Sequence, residues 1–173
     1  MRTLFILATS STKHNTGIAY QYLLSQAKGE YDVFICDSSE YFDCTGCRCC
    51  LKKGKCSLED DLSIYDLTKY DCFFIICPAY FFGLKADISR FLDRLFCFNL
   101  KDKKISILLF TGSYGEDSGI DCIRSRFRSI DRYTGTKTII RQVVTNDEVL
   151  SLADYEAEFK ELLRRSNLEI DKS

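Results

Sequence analysis

The stretch CFFIICPAYFFGLKADISRFLDRLFCF, Cys72 to Phe98, decides the fold. Cys72 to Cys77 is an unbroken apolar run of strand length, as expected for a strand covered on both faces. A proline, three aromatics and a glycine follow. From Lys85 to Phe98 the period changes. Ile88, Phe91, Leu92 and Leu95 stand at i, i+3, i+4 and i+7, the stripe of a helix laid on a sheet. Outward from this unit, four more short apolar runs predict strands over Thr3 to Ala8, Tyr31 to Cys36, Ile105 to Phe110 and Thr138 to Val144. Helical spacing predicts helices over His14 to Ala27, Ser118 to Ile130 and Asp147 to Arg165, the last capped by Asn146. This alternation predicts an α/β fold: a doubly wound, five-stranded parallel sheet in the order 2-1-3-4-5 with right-handed crossovers. The irregular part is a cysteine-rich insertion after strand 2, about 37–62.

Composition bounds the rest. The chain has 173 residues, 46% of them hydrophobic, with a single proline. That suits one domain with a sizeable core, and no repeat or linker divides 1–173. Basic residues number 24 against 25 acidic, a balance that argues against a nucleic-acid binder. The apolar opening is too short for a signal peptide or a membrane span. A cytoplasmic location is therefore expected, with the ten cysteines free or metal-bound rather than bridged.

Ligands of doubly wound sheets bind outside the carboxyl ends of the strands. Three loops there are unusual. ATSSTKHNTG, Ala8 to Gly17, offers Thr9, Ser10, Ser11, Thr12, Asn15 and Thr16 at a helix start, the chemistry of a phosphate cradle. It carries neither GxGxxG nor GxxxxGK[ST], which disfavours a dinucleotide or P-loop site. PAYFFGLK, Pro78 to Lys85, places Tyr80, Phe81 and Phe82 at a strand end, as a wall for a planar ring or a dimer patch. TGSYGEDS, Thr111 to Ser118, has Gly112 and Gly115 for close backbone approach. One phosphate site, an apolar slot and a glycine loop together suit FMN.

These motifs resemble the flavodoxin-like, NAD(P)H-dependent FMN reductase family, close to its cysteine-rich iron–sulfur flavoprotein branch. The resemblance is carried by ATSSTKHNT (Ala8 to Thr16), CTGCRCCLKKGKCSLEDD (Cys44 to Asp61) and PAYFFGLKADISRFLDR (Pro78 to Arg94). The loop departs from the family in having Ser11 where an arginine stands, with Lys13 nearby. The resemblance implies FMN phosphate on Ser10, Thr12, Asn15 and Thr16. It implies ring contacts from Pro78, Ala79, Tyr80, Phe81 and Phe82, and from Thr111, Gly112, Ser113, Tyr114 and Gly115. It also implies hydride transfer from NAD(P)H to flavin and on to a small acceptor such as a quinone, a nitroaromatic or another flavin. No side chain need act as acid or base, and His14, the single histidine, reads as a surface residue at a helix start. The alternative is electron transfer between ferredoxin, a [4Fe–4S] cluster and FMN, or a flavodoxin-like carrier. A carrier typically has a stronger acidic excess than this chain.

Cys44, Cys47, Cys50 and Cys56 follow C-x2-C-x2-C-x5-C, with Cys49 an extra cysteine inside the run, a spectator pointing away if the four hold a cluster. Four thiolates so spaced can ligate [4Fe–4S] or zinc, or can remain as free or redox-active thiols. Cys36, Cys72, Cys77 and Cys97 read as core, and Cys122 as partly exposed. Arg124, Arg126, Arg128 and Arg132 read as a solvated face paired with Asp121 and Asp131, or as a docking patch for a nicotinamide phosphate or an acidic electron-transfer protein. The aromatic loop predicts a homodimer or a dimer of dimers, with the flavin near the subunit boundary.

Overall fold

A computed structural model describes residues 1–95, 98–113, 118–145, 151–166 and 168. The strands are β1 (Arg2–Leu7), β2 (Glu30–Ile35), β3 (Cys72–Tyr80), the two-residue β4 (Gly83–Leu84), β5 (Lys104–Thr111) and β6 (Lys137–Val144). The helices are α1 (Asn15–Gln26), the short α2 (Cys49–Lys53), α3 (Ala86–Leu95), α4 (Ile120–Thr134) and α5 (Leu152–Arg165). Five strands run parallel in the order β2-β1-β3-β5-β6, the arrangement the sequence predicts. The addition is β4, which folds back antiparallel on β3 and pairs Ala79 with Leu84 and Tyr80 with Gly83.

Alternation along the strands divides the core into two layers. Leu4, Ile6, Phe73, Ile75 and Ile107 pack with Phe91, Leu95, Ile123 and Phe127 of α3 and α4. Phe5, Leu7, Phe74, Ile76 and Leu108 pack with Leu23 of α1 and with Phe159, Leu162 and Leu163 of α5. Pro78 is tolerated in β3 for a simple reason. Ile76 and Pro78 aim their backbone groups the same way, and the Ile76 carbonyl accepts from the N–H of Ala8, where β1 has already ended. The donor that proline lacks thus has no strand to serve.

The insertion is clamped onto α3. The Tyr41 hydroxyl donates to the Asp87 carbonyl at 2.6 Å, and Arg90 pairs with Asp43 at 2.9 Å while lying over the Tyr41 ring. Deeper in, Arg94 and Asp60 form a buried ion pair, their side chains 2% and 1% exposed. Asp60 also accepts from the N–H groups of Phe42 and Ser63, and Asp61 accepts from the N–H of Glu40 at 2.7 Å. The acidic pair that closes the insertion is therefore structural: it ties 40–42 to 60–63 and both to α3.

Cys36, Cys72 and Cys77 are buried as expected, and burial pushes the thiols of Cys36 and Cys72 up to about 12 and about 11 and that of Cys77 upward as well. Cys122 is exposed, while Cys97 and the expected Asn146 cap lie outside the described residues. The basic face of α4 differs in one pairing. Arg124 meets Asp121 at 3.5 Å, but Asp131 turns to the hydroxyls of Thr136 and Thr138, and Arg126 reaches Asp93 on α3 at 3.7 Å. Threonine hydroxyls held in place by the α4–β6 turn are nearer partners than a solvated arginine. Among the described residues no helix is long and apolar enough to cross a membrane.

Candidate functional site

β1, β3 and β5 are neighbours and parallel, so the loops that leave their carboxyl ends share one edge of the sheet. β1 leads by way of α1 to β2 on one side, and β3 leads to β5 and β6 on the other. The edge is thus the topological switch point of the sheet.

The first loop is wound by its own side chains. The Ser11 N–H donates to Thr9 Oγ1 at 3.1 Å and the Lys13 N–H to Ser11 Oγ at 3.4 Å. Ser10 and Thr12 are exposed, Asn15 opens α1 half-buried, and Thr16 is buried in its first turn. Two residues outside the expected set shape this loop. The Asp37 carboxylate, just after β2, receives the Ser10 N–H at 2.8 and 3.0 Å. That backbone donor is thereby committed to Asp37, which leaves the side-chain hydroxyl as the offering of Ser10. Gly17 lies so close under the loop that a Cβ there would stand 2.0 Å from the Ser11 carbonyl oxygen and 2.8 Å from Thr12 Cα. His14 is exposed at the start of α1 and its side chain makes no capping bond, in keeping with a surface role.

The second loop is a two-residue hairpin turn with positive φ at both central positions, Phe81 at 45° and Phe82 at 64°. This is the type I′ geometry that asparagine and glycine normally fill. Two phenylalanines there cost about 1–2 kcal/mol each. The turn holds Phe81 fully in solvent, 99% exposed, with Tyr80 and Phe82 also exposed beside it. It is fixed from below by Gly119, whose absent Cβ would stand 2.3 Å from Phe82 Cα. Lys85, where the hairpin exits, donates from Nζ to the Ala8 carbonyl at 2.6 Å and pairs with Asp87 at 2.9 Å, joining the second loop to the first. We expect Phe81→Asn combined with Phe82→Gly to stabilise the fold by about 1–3 kcal/mol in urea titrations while weakening ring binding at this edge. A less stable double variant would contradict the strain.

In the third loop Thr111 is buried and Gln142 braces it. Gln142 Nε2 donates to Thr111 Oγ1 at 2.9 Å and to the Ser113 carbonyl at 3.2 Å, and Thr111 Oγ1 donates to the same carbonyl at 2.9 Å. Among the described residues nothing stands within 4 Å of a Cβ built on Gly112, so that face is open to a ligand. Tyr114 and Gly115 lie outside the described residues. The exposed hydroxyls, the presented aromatics and the open glycine match the phosphate, the ring and the polar edge of a flavin. Asp37 sets a negative group against the cradle.

Cys44, Cys47, Cys50 and Cys56 line one narrow cavity of about 20 Å³, with Arg94 and Phe98 as further walls. Among the described residues, however, no group of three or more Cys, His, Asp or Glu is arranged to hold a metal ion. Cys50 is buried with α2 while Cys47 faces solvent, and the four sulfurs do not form a ready ligand set. Cys49 lies beside Cys47. Its N–H and its thiol both hydrogen-bond the Cys47 sulfur, as does Ser57 Oγ at 3.3 Å. The Ser57 bond first, then those from Cys49, lower the Cys47 thiol to about 6. A separate cavity of about 720 Å³ opens between Lys53–Glu59 and Leu62–Thr68. It is walled by the insertion rather than by the three loops, and the chemistry of a flavin site is at the loops.

No protein-family model matches the chain, and no curated protein matches its sequence. Solved structures do share its fold. An NAD(P)H:quinone oxidoreductase from Methanothermobacter marburgensis superposes with a TM-score of 0.62 at 20% identity, over 100% of this chain and 99% of that one. An azoreductase from Bacillus anthracis gives 0.62 at 14% identity, over 96% and 99%. A flavodoxin from Streptococcus pneumonia TIGR4 gives 0.63 at 12% identity, over 96% and 98%. The chain has the flavodoxin-like fold over essentially its whole length.

Proposed function

We propose that this chain is an FMN-dependent NAD(P)H oxidoreductase that reduces a small acceptor such as a quinone, a nitroaromatic or a flavin. The observation that carries this reading is the convergence of the three loops at the β1–β3–β5 edge, with a strained turn spent on presenting Phe81 and Phe82. The named activities of two fold relatives, quinone reduction and azo reduction, point the same way. Ser10, Thr12, Asn15 and Thr16 would hold the flavin phosphate. Pro78 to Phe82 and Thr111 to Gly115 would hold the ring. Bound flavin would supply two-electron chemistry between nicotinamide and acceptor; the chain positions both, and shields the ring from one side.

An aromatic turn so exposed is best explained by a second copy of the chain completing the wall, so the working unit is a homodimer, or a dimer of dimers, in the cytoplasm. Sedimentation of the loaded protein at micromolar concentration is expected to give a dimer or larger, and a monomer would reject this assembly. FMN-loaded protein under nitrogen should lose its yellow colour on addition of NADH or NADPH and regain it on addition of a quinone. Flavin that binds but is bleached by neither nicotinamide would favour the electron-carrier reading, which the flavodoxin relative supports.

A further inference from the structure

We propose that Asp37 is a specificity-determining residue of the phosphate cradle: its carboxylate takes the seat on the Ser10 N–H that a phosphate oxygen would take, and FMN binds by displacing it. The inference rests on the flavin reading of the three loops and deepens it. The sheet sets the seat. β1 and β2 end level, with Leu7 paired to Ile35, and the chain then makes a short 3-10 turn over Cys36–Ser38. Cys36 is buried, and the Ser39 hydroxyl donates to the Ile35 carbonyl at 2.7 Å, so the turn is held at both ends. Asp37 is carried between these anchors, exposed, and both of its oxygens accept from the one Ser10 N–H, at 2.8 and 3.0 Å.

A carboxylate on a backbone N–H beside a helix start offers what a phosphate would offer, two anionic acceptor oxygens. Two further donors of the loop are met by neutral groups of the loop itself, the Ser11 N–H by Thr9 Oγ1 and the Lys13 N–H by Ser11 Oγ. At Ser10, by contrast, the donor is held by an anion. Lys85, a cation of this edge, is turned to the Ala8 carbonyl and to Asp87, which leaves the charge of Asp37 to act on the cradle. A phosphate on the hydroxyls of Ser10 and Thr12 would stand close to that charge, and like charges at short range repel even beside water. Because Asp37 is exposed, its carboxylate can turn into solvent and stay hydrated when the phosphate arrives. Riboflavin brings no charge to the cradle and has nothing to displace. Asp37 therefore lowers affinity for the phosphorylated flavin alone, a repulsive element that narrows the preference for FMN.

The test is fluorescence titration of FMN and of riboflavin with the full chain and with Asp37→Asn, which keeps the shape and an acceptor oxygen but loses the charge. Asp37→Asn is expected to bind FMN at least about tenfold more tightly and riboflavin within about twofold of the wild type. Asp37→Ala, which frees the Ser10 N–H outright, should shift the two flavins in the same way. A damaged fold does not produce a gain of affinity confined to one flavin. If the wild type binds FMN and Asp37→Asn binds it equally or more weakly, or gains equally for both flavins, Asp37 is only a support of the loop and the proposal is overturned, while the flavin reading stands. If neither protein binds FMN at tens of micromolar, the flavin reading is overturned and the proposal with it.

Discussion

Arg94→Ala is expected to lower the stability of the fold by about 3–5 kcal/mol, because it leaves the Asp60 carboxylate buried without its counter-charge. That is a large part of the 5–15 kcal/mol margin of an ordinary domain. The side chains are 2% and 1% exposed, so water cannot take over the role of the guanidinium. The geometry is not ideal even in the wild type, since Arg94 Nε is buried without a partner among the described residues. The pair therefore fixes the insertion in place more than it adds net stability. The pH dependence follows. Burial pushes the Asp60 carboxyl up, but the hydrogen bond from Arg94, then that from the Phe42 N–H, outweigh it and hold the group below the usual carboxylate range. Its contribution is fully present above that range and is lost as pH falls through the folded-state value. In Arg94→Ala only burial and the backbone donors remain, so the variant should lose less relative to the wild type near pH 4 than at pH 7. Urea titrations at the two pH values measure both effects. A loss below about 1 kcal/mol at pH 7 would mean that the pair behaves as a surface ion pair.

The second large effect is expected at Gly17. In a helix, Gly→Ala ordinarily gains about 1 kcal/mol. Here the added Cβ would meet backbone, the Ser11 carbonyl oxygen at 2.0 Å, and no side-chain rotation relieves that contact. The loop from Thr9 to Lys13 must lift off α1. Gly17→Ala should therefore lower stability by about 1–3 kcal/mol and weaken FMN binding at least tenfold, with riboflavin, which lacks the phosphate, affected much less. Thermal melts and flavin titrations of the same preparation separate the two. An unchanged FMN affinity would remove the first loop from the site.

Much of this architecture was legible in the sequence because it rests on local pattern. Apolar runs such as Cys72 to Cys77 and the stripe Ile88, Phe91, Leu92, Leu95 announce their burial without knowledge of the rest of the chain. What escaped depends on tertiary approach. Gly17 and Gly119 look like ordinary glycines until the Ser11 carbonyl and Phe82 are seen against them. Asp37 lies far along the chain from the Ser10 N–H that it receives, and only the β1–β2 pairing joins them. The Phe81–Phe82 turn was hidden for another reason: its residues contradict the turn they occupy, and a rule that seeks Asn-Gly passes over them. The spacing of Cys44, Cys47, Cys50 and Cys56 spoke for a ligand set, but spacing does not give side-chain direction, and among the described residues no three such groups are arranged to hold a metal ion.

The central claim is that the three loops form a site for a flavin monophosphate. Titration of FMN and of riboflavin with the protein, followed by quenching of flavin fluorescence, tests it most directly. The account predicts saturation at one FMN per chain, with riboflavin bound at least about tenfold more weakly for want of charge-assisted hydrogen bonds to the first loop. Absence of quenching at tens of micromolar FMN, or equal affinity for the two flavins, would contradict it.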